Sequence, residues 1–368
     1  PSLEKARAQA LIQVVARESG ELKREFLDPV PGAGFGTLPK PSEGDVFFDI
    51  ESDQFVGEHG LEYLFGYVFN NKSGEVEYKA EWAFGPDEEK AAFEGFIDFL
   101  TERRQQYPDM HVYHFAPYEP SALKRLMGRY ASRENEMDNL LRGLVFVDLL
   151  SVVRNGLRAS VESYSLKKLE PFFKFERKVS LHDANVALTQ LSSHIELDDF
   201  DSVTDETKSV VEAYNADDCF STAALRDWLE SLRAELISEG HSINRPEPGA
   251  EPSEEADEQA QRIQALVDRL IDGVPVDEEE RTPEQHGRWI LAHLLEWHRR
   301  EEKSVWWEYF RLCELQPDEL LRERAAISGL EFVGTVETSN QGIPTDRYKF
   351  IPQDTEVRAG DELKAAGG

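Results

Sequence analysis

Three β-rich segments in the first quarter of the chain constrain its fold more than any other feature. The first, DVFFDIES, is a short apolar run that ends in acids, and it predicts a strand from Val46 to about Glu51. The segments LEYLFGYVFN and EVEYKAEWAF follow it, separated by the turn-forming residues 70–74. Together the three segments predict an antiparallel meander that opens a sheet.

Helical and strand patterns alternate after the meander. Helical patterns cover residues 88–105, about 120–130 and roughly 206–239, and the apolar runs HVYHF and GLVFVDLL between them read as short buried strands. Shorter helical pieces, SVVRNGL and SLKKLEPFF, precede the long last helix. The order β-β-β-α-β-α-β-α-α predicts an α/β domain with a mixed sheet flanked by helices.

The segments on either side of this domain differ from it in composition. Residues 3–27 have helical periodicity, which a stretch rich in proline and glycine then breaks. From Arg245 the chain is rich in proline and acids, as linkers are, and residues 282–311 look helical. We therefore predict an N-terminal helix and linker (1–43), the α/β domain (44–240), an acidic linker and helix (241–281), and a helical segment with a terminal β hairpin (282–368).

The net charge of −31, from 72 acidic and 41 basic residues, argues against a nucleic-acid partner. Much of the excess is local, because residues 251–280 hold eleven acids and two bases. Residues 154–178 reverse the balance with seven bases and three acids, which could line a nucleic-acid backbone. The candidate nucleic-acid-binding residues are Lys124, Arg125, Arg154, Lys167 and Lys168, and an ordinary solvated face explains any one of them equally well.

Cysteine content and apolar runs bear on the cellular compartment. Cys219 and Cys313 lie far apart and form no metal-ligand pattern, which favours a reduced, cytoplasmic protein. No apolar run approaches the ~18–20 residues that a membrane span requires. The chain begins at Pro1 and enters a helical pattern at once, so we expect it to be part of a longer polypeptide.

Four acids and a tyrosine occur in an order that suits a metal site. Asp49 and Glu51 point to the same side of their strand, because side chains alternate with period two. Two acids ending an apolar strand are costly without a cation, and carboxylate oxygens suit Mg²⁺ or Mn²⁺. Taken alone, this pair is more often a solvated strand end than a ligand pair.

The other members of the set are equally ambiguous alone. Glu119 follows a strand at the start of a helix opened by Pro120, where it could merely complement the helix dipole. Tyr214 and Asp218, four residues apart, share one helix face, although a core tyrosine and a surface acid would fit the same spacing. Asp217 beside them reads as a spare acid that faces away. The conjunction of all five residues is much stronger than any member.

This order of motifs resembles the DnaQ-like exonuclease superfamily in its DEDDy branch. The segment FAPYEPSAL is similar to that family's N-A-x-F-D-x-x-F-L motif, with Phe115 in place of Asn and Glu119 in place of Asp. A closer resemblance, over about residues 44–235, is to the ribonuclease H-like domain of bacterial RecB-type nuclease and superfamily 1 helicase fusion proteins. It rests on FFDIES, YHFAPYEPSALKRL, SYSLKKLEPFF and YNADDCFSTAALRDWL.

The resemblance implies a two-metal 3′–5′ exonuclease that uses Mg²⁺ or Mn²⁺ and acts on the 3′ ends of single-stranded DNA. Asp49 would bridge two ions, Glu51 and Asp218 would complete the shell of the first, and Glu119 would hold the second. Tyr214 would orient the attacking water and help its deprotonation. RecB-like nuclease and helicase domains of the same chain would be its partners in DNA repair. A catalytically silent nucleic-acid-binding scaffold and an RNA-directed exonuclease are the alternatives.

Overall fold

In the computed structural model, the described residues are 3–57, 59–247, 254–275, 281–295 and 297, and then 309, 312–313, 315, 320–321, 323–338, 344–361 and 363–364. The chain divides into two compact units, Ser2–Pro252 and Ser253–Gly368. Each unit is described by itself.

The first unit contains eight helices and seven strands among its described residues. In chain order they are α1 (Leu3–Ser19), β1 (Arg24–Phe26), β2 (Val46–Asp53), β3 (Leu61–Asn70), β4 (Val76–Trp82), α2 (Pro86–Gln106), β5 (Val112–His114), α3 (Tyr118–Tyr130), α4 (Glu134–Arg142), β6 (Phe146–Asp148), α5 (Leu149–Gly156), β7 (Leu157–Ala159), α6 (Leu166–Phe173), α7 (Leu181–Glu196) and α8 (Asp205–Ser238). Short 3-10 turns lie at Gly34–Thr37 and Phe200–Ser202.

A five-stranded mixed sheet in the order β4-β3-β2-β5-β6 forms the centre of this unit. Strands β2, β3 and β4 run antiparallel, as the predicted meander requires, whereas β5 and β6 run parallel to β2. The central strand β2 is apolar on both faces, with Phe47, Phe48 and Ile50 all buried, because helices cover both sides. The predicted mixed α/β fold is therefore confirmed.

Helix α8 packs against β2 and β3 and carries one side of the functional site. Its buried residues, which include Val211, Asn215 and Leu225, recur at the spacing of one helix face. Gly66 on β3 allows the helix to come close, since a Cβ there would lie 1.6 Å from Asn215 Oδ1. Strands β2 and β3 and helix α8, which lie far apart in the sequence, are thus in contact.

The helix predicted for residues 3–27 is too long. It ends at Ser19, because Gly20 adopts a left-handed φ of +69° and its N–H bonds to the carbonyl of Ala16. The chain then forms strand β1, which pairs antiparallel with β7. Gln9 and Gln13 of α1 also donate hydrogen bonds to backbone carbonyls in and just after β7.

Two other differences concern the segments between the predicted elements. Helices α4 and α7 are present although neither was predicted. The run GLVFVDLL contains only the three-residue strand β6, and a helix begins at Leu149 because the side chain of Asp148 caps it.

The second unit contains α9 (Glu254–Ile271), α10 (Pro283–Leu294), β8 (Glu331–Thr338) and β9 (Pro344–Lys349) among its described residues. Strands β8 and β9 form the antiparallel hairpin expected at the end of the chain. Thr282 and Gln285 form a capping box at the start of α10. The rest of the helix expected for residues 282–311, with Trp306 and Trp307, lies mostly outside the described residues. No helix of the described residues is long and apolar enough to cross a membrane.

Candidate metal centre

Three of the predicted ligands meet between the central strand and the long helix. Asp49 and Glu51 extend from β2 and Asp218 from α8, and one carboxylate oxygen of each lies within 4.8 Å of the others. Asp49 and Glu51 share a face of β2 as the period-two spacing predicts, and α8 covers that face. A sequence separation of more than 160 residues is closed here by the contact of one helix with one strand.

Burial and mutual repulsion make this cluster electrostatically costly. Burial raises the pKa of Asp49 well above its usual value, and the charges of Asp218, Glu51 and Glu119 raise it further. Burial and the charge of Asp218 raise the pKa of Glu51 to about 8. Carboxylates in this situation hold protons unless a cation replaces them. Three convergent oxygen donors with this property fit Mg²⁺ or Mn²⁺.

Asn215 fixes the orientation of Asp49 and was not predicted. Its side-chain amide donates a hydrogen bond of 2.9 Å to Asp49 Oδ2, and its carbonyl oxygen accepts one of 2.9 Å from the Tyr78 hydroxyl. Asn215 precedes Asp218 by three residues and therefore lies on the same helix face. That spacing is the signal in the sequence that could have identified it.

Two positively charged side chains, those of Lys167 and Arg177, bind the Asp218 carboxylate. Lys167 Nζ lies 2.8 Å from Oδ2, and Arg177 Nη2 lies 2.6 Å from Oδ1. Arg177 also makes two hydrogen bonds to Glu170, whose Oε1 accepts a further one from Ser221. Lys167, predicted as a nucleic-acid contact, thus lies in the centre itself.

Tyr214 lies beside this pair of cations. Lys167 Nζ is 5.0 Å from the centroid of its ring and the guanidinium carbon of Arg177 is 5.5 Å from it. Burial and the charge of Asp218 raise the pKa of Tyr214 to about 12, although Lys167 opposes the shift. The phenol is therefore protonated at neutral pH.

Glu119 stands apart from the three clustered carboxylates. It is buried in the first turn of α3, and its Oε2 atom has no hydrogen-bond partner. His114 Nδ1 lies 3.5 Å from that oxygen and 2.6 Å from the carbonyl oxygen of Ala116. Burial alone would lower the pKa of His114, but Glu119 raises it overall. A carboxylate oxygen that has no hydrogen bond, lies near His114 and raises the pKa of Asp49 is suited to a cation on its side of the site.

Two further acids hold the segments around the site. Asp148 Oδ1 accepts hydrogen bonds from the backbone N–H groups of Ala116 (2.9 Å) and Leu150 (2.8 Å), which ties the segment before Glu119 to α5. Asp217 does not face solvent as a spare acid would, since it is 1% exposed. It accepts hydrogen bonds from the backbone of Lys178 and Val179 and so fixes the segment that carries Arg177.

The remaining candidate nucleic-acid contacts lie outside the cluster. Lys168 is exposed and bonds to Glu162 at 3.0 Å. Arg125 bonds to Glu62 from an exposed position on α3, Lys124 is half-buried on the same helix, and Arg154 is exposed on α5. Lys168 and Arg125 therefore bond to carboxylates outside the cluster.

Comparison with known proteins yields one family. The sequence model described as the RNase H superfamily matches residues 46–230, which is half of the chain and includes every acid of the centre. No curated protein and no solved structure matches the chain.

Proposed function

The chain belongs to the RNase H superfamily, and from this membership we propose that it is a divalent-metal-dependent 3′–5′ exonuclease of the DEDDy type. The ribonuclease H-like fold agrees with the observed mixed sheet and flanking helices. Members of this superfamily are typically nucleases that use divalent metals and bind nucleic acid. The observation that carries the proposal is the cluster of Asp49, Glu51 and Asp218, in which Asp49 and Glu51 have no salt bridge among the described residues.

The carboxylates have distinct roles in this proposal. Asp49, Glu51 and Asp218 would hold one ion, while Glu119 would contribute to a second on its own side. When bound, divalent ions supply Lewis-acid stabilisation of a phosphoryl group and lower the pKa of a water. Asn215 keeps Asp49 in its ligand orientation, and Asp148 and Asp217 position the segments that carry Glu119 and Arg177.

Tyr214 would orient the attacking water through its hydroxyl group. Burial and the charge of Asp218 raise the pKa of the phenol to about 12, which favours a role as a hydrogen-bonding group. The help with deprotonation that the sequence resemblance implies stays a prediction.

The finer parts of the proposal rest on the sequence resemblance. A single-stranded DNA substrate, RecB-like nuclease and helicase partners in a longer chain, and a role in DNA repair are all of this kind. The proposed cytoplasmic location rests on the free thiols of Cys219 and Cys313, which favour a reduced compartment.

The contacts of Asp218 favour a second candidate, a catalytically silent nucleic-acid-binding scaffold. Lys167 and Arg177 already neutralise this carboxylate, as they would in a site that had lost its ions. A scaffold would bind an oligonucleotide without shortening it and would not respond to Mn²⁺.

The experiment is a cleavage assay with the purified chain. A single-stranded DNA labelled at its 5′ end should give a ladder of shortened products in Mn²⁺ or Mg²⁺ and none in EDTA. A 3′-blocked strand and a circular strand should resist, and RNA of the same sequence tests the RNA-directed alternative. Absence of metal-dependent cleavage on every substrate would refute the proposal in favour of the scaffold.

A further inference from the structure

The two oxygens of Asp218 differ in how firmly they are held. Arg177, which bonds to Oδ1, has a side chain that is 8% exposed and is fixed by two hydrogen bonds to Glu170. Lys167, which bonds to Oδ2, has a side chain that is 30% exposed. A lysine ammonium on a flexible stem can leave its partner more easily than a forked guanidinium can. The oxygen able to change partner is therefore Oδ2.

The position of Lys167 is the one that a metal ion would contest. Its charge acts on all three clustered carboxylates, since it opposes the rise in the pKa of Asp49 and of Glu51 while bonding to Asp218. If an ammonium and a divalent ion both contact one carboxylate oxygen, the two charges lie close together and repel each other strongly. Binding of the ion at this cluster thus requires Lys167 to move.

We propose that the Lys167 ammonium holds the place of the divalent ion in the metal-free protein, leaves Asp218 Oδ2 when the ion binds, and then contacts a phosphate oxygen of the nucleic acid. Its partial exposure gives it a path toward a bound backbone, and lysine binds phosphate as a mobile point charge. The last step rests on the proposed nuclease function. The first two concern the protein and the metal alone.

A titration with Mn²⁺ in the absence of nucleic acid tests the displacement. Lys167→Met removes the competing charge, so this variant should bind Mn²⁺ about tenfold more tightly than the wild type, as measured by calorimetry. Lys168→Met is the matched control, because it removes the same charge from the next residue of α6, where the partner is Glu162. Its Mn²⁺ affinity should equal that of the wild type.

Two further variants keep the test decisive. Lys167→Arg retains the positive charge and should bind Mn²⁺ no more tightly than the wild type. Lys167→Gln is a second charge-removing change in case the methionine variant fails to fold, and it should show the same tightening. The rise in melting temperature on adding Mn²⁺ should also be larger in the charge-removing variants. Equal or weaker Mn²⁺ binding by a folded Lys167→Met or Lys167→Gln variant would overturn the proposal.

The phosphate step has its own readout. Binding of single-stranded DNA in Ca²⁺ should weaken in Lys167→Met, and the slope of log affinity against log salt should fall by about one. Unchanged affinity and slope would overturn this step. Because the Mn²⁺ titration needs no turnover, failure of the nuclease proposal and failure of the displacement are distinguishable.

Discussion

Strand β2 has acids in opposite circumstances at two positions: Asp45 lies directly before the strand, and Asp49 and Glu51 lie from its middle onward. We call these positions its Asp45 end and its Asp49 end. Asp45, directly before the strand, accepts hydrogen bonds from the backbone N–H groups of Ser42 (2.9 Å) and His111 (3.0 Å) and from Arg226 Nη1 (2.6 Å). At the other end, Asp49 accepts its side-chain hydrogen bond from the neutral amide of Asn215. Neither Asp49 nor Glu51 has a salt bridge within the described part of the chain.

Burial alone does not distinguish these ends. It raises the pKa of Asp45, against the backbone hydrogen bonds and Arg226, just as it raises those of Asp49 and Glu51. The difference is the counter-charge. Arg226 pairs with Asp45, and also with the exposed Asp227. Lys167 and Arg177 pair instead with Asp218, on the other side of the site. A buried acid with its own cation serves folding. A pair without one either holds protons or takes a cation from solution.

The largest expected effect is on catalysis at the Asp49 end. Asp49→Asn should lower Mn²⁺-dependent cleavage by about a thousandfold or more, since it removes a ligand shared by the whole cluster. Its melting temperature in EDTA should not fall, because the neutral amide replaces a carboxyl group whose pKa is raised well above its usual value. Cleavage within tenfold of the wild type would break the distinction between the two ends.

Replacing Asp45 should have the opposite result, a loss of stability with no loss of cleavage. Asp45→Asn removes the buried partner of Arg226, whose side chain is 12% exposed and which then retains the exposed Asp227. It should reduce the free energy of unfolding by about 3 kcal/mol. Urea denaturation measures the loss, and adding Arg226→Met should restore part of it. The folded fraction of Asp45→Asn should cleave like the wild type, and a catalytic defect with unchanged stability would contradict the assignment.

The sequence was sufficient for the five strands of the central sheet and for the longest helix. Helix α8 was expected at roughly 206–239 and spans Asp205–Ser238, because its apolar face recurs over many turns. Helix α7 escaped prediction because two of its buried positions are the small residues Ala184 and Ala187, which give a weak apolar stripe. Local pattern fails where burial is achieved with small side chains.

The candidate site also has some features that the sequence predicts and others that it does not. Spacing placed Asp49 with Glu51 on one strand face, and order along the chain suggested Asp218. The positions of Lys167 and Arg177 depend on how α6 and the segment after it fold onto α8, and no local pattern encodes that contact. A basic run in the sequence therefore indicated nucleic acid, although two of its members bond to a carboxylate of the centre.

The pH dependence of stability in EDTA should also separate the two ends. Glu51 has a pKa of about 8 in the folded protein against an ordinary value of 4.5, so the folded state binds the extra proton between these values. Its stabilising contribution is present below about pH 4.5 and is lost as the pH rises through about 8. Because Glu51 is partly exposed, we expect a loss of roughly 2 kcal/mol.

Unfolding in urea at pH 5 and pH 8.5, with EDTA throughout, measures this loss. Glu51→Gln has no proton to lose at that position and should show a smaller decline over the same interval. If the two proteins declined in parallel, the unpaired charge of Glu51 would not be the source of the pH dependence.

The smallest expected effect is on the cleavage rate, when the tyrosine near one end or the other is replaced by phenylalanine. Tyr214→Phe should lower cleavage about tenfold, because it removes one hydrogen bond to the attacking water and leaves the ligands in place. Its Mn²⁺ affinity should be unchanged. Tyr113→Phe is the control at the Asp45 end, where the ring lies 5.1 Å from the guanidinium carbon of Arg226, and it should cleave like the wild type.

Since the pKa of Tyr214 is about 12, the two variants and the wild type should share one pH–rate profile between pH 7 and pH 9. A basic limb of that profile that disappears only in Tyr214→Phe would show that the phenolate takes part, and would make Tyr214 a base in place of an orienting group.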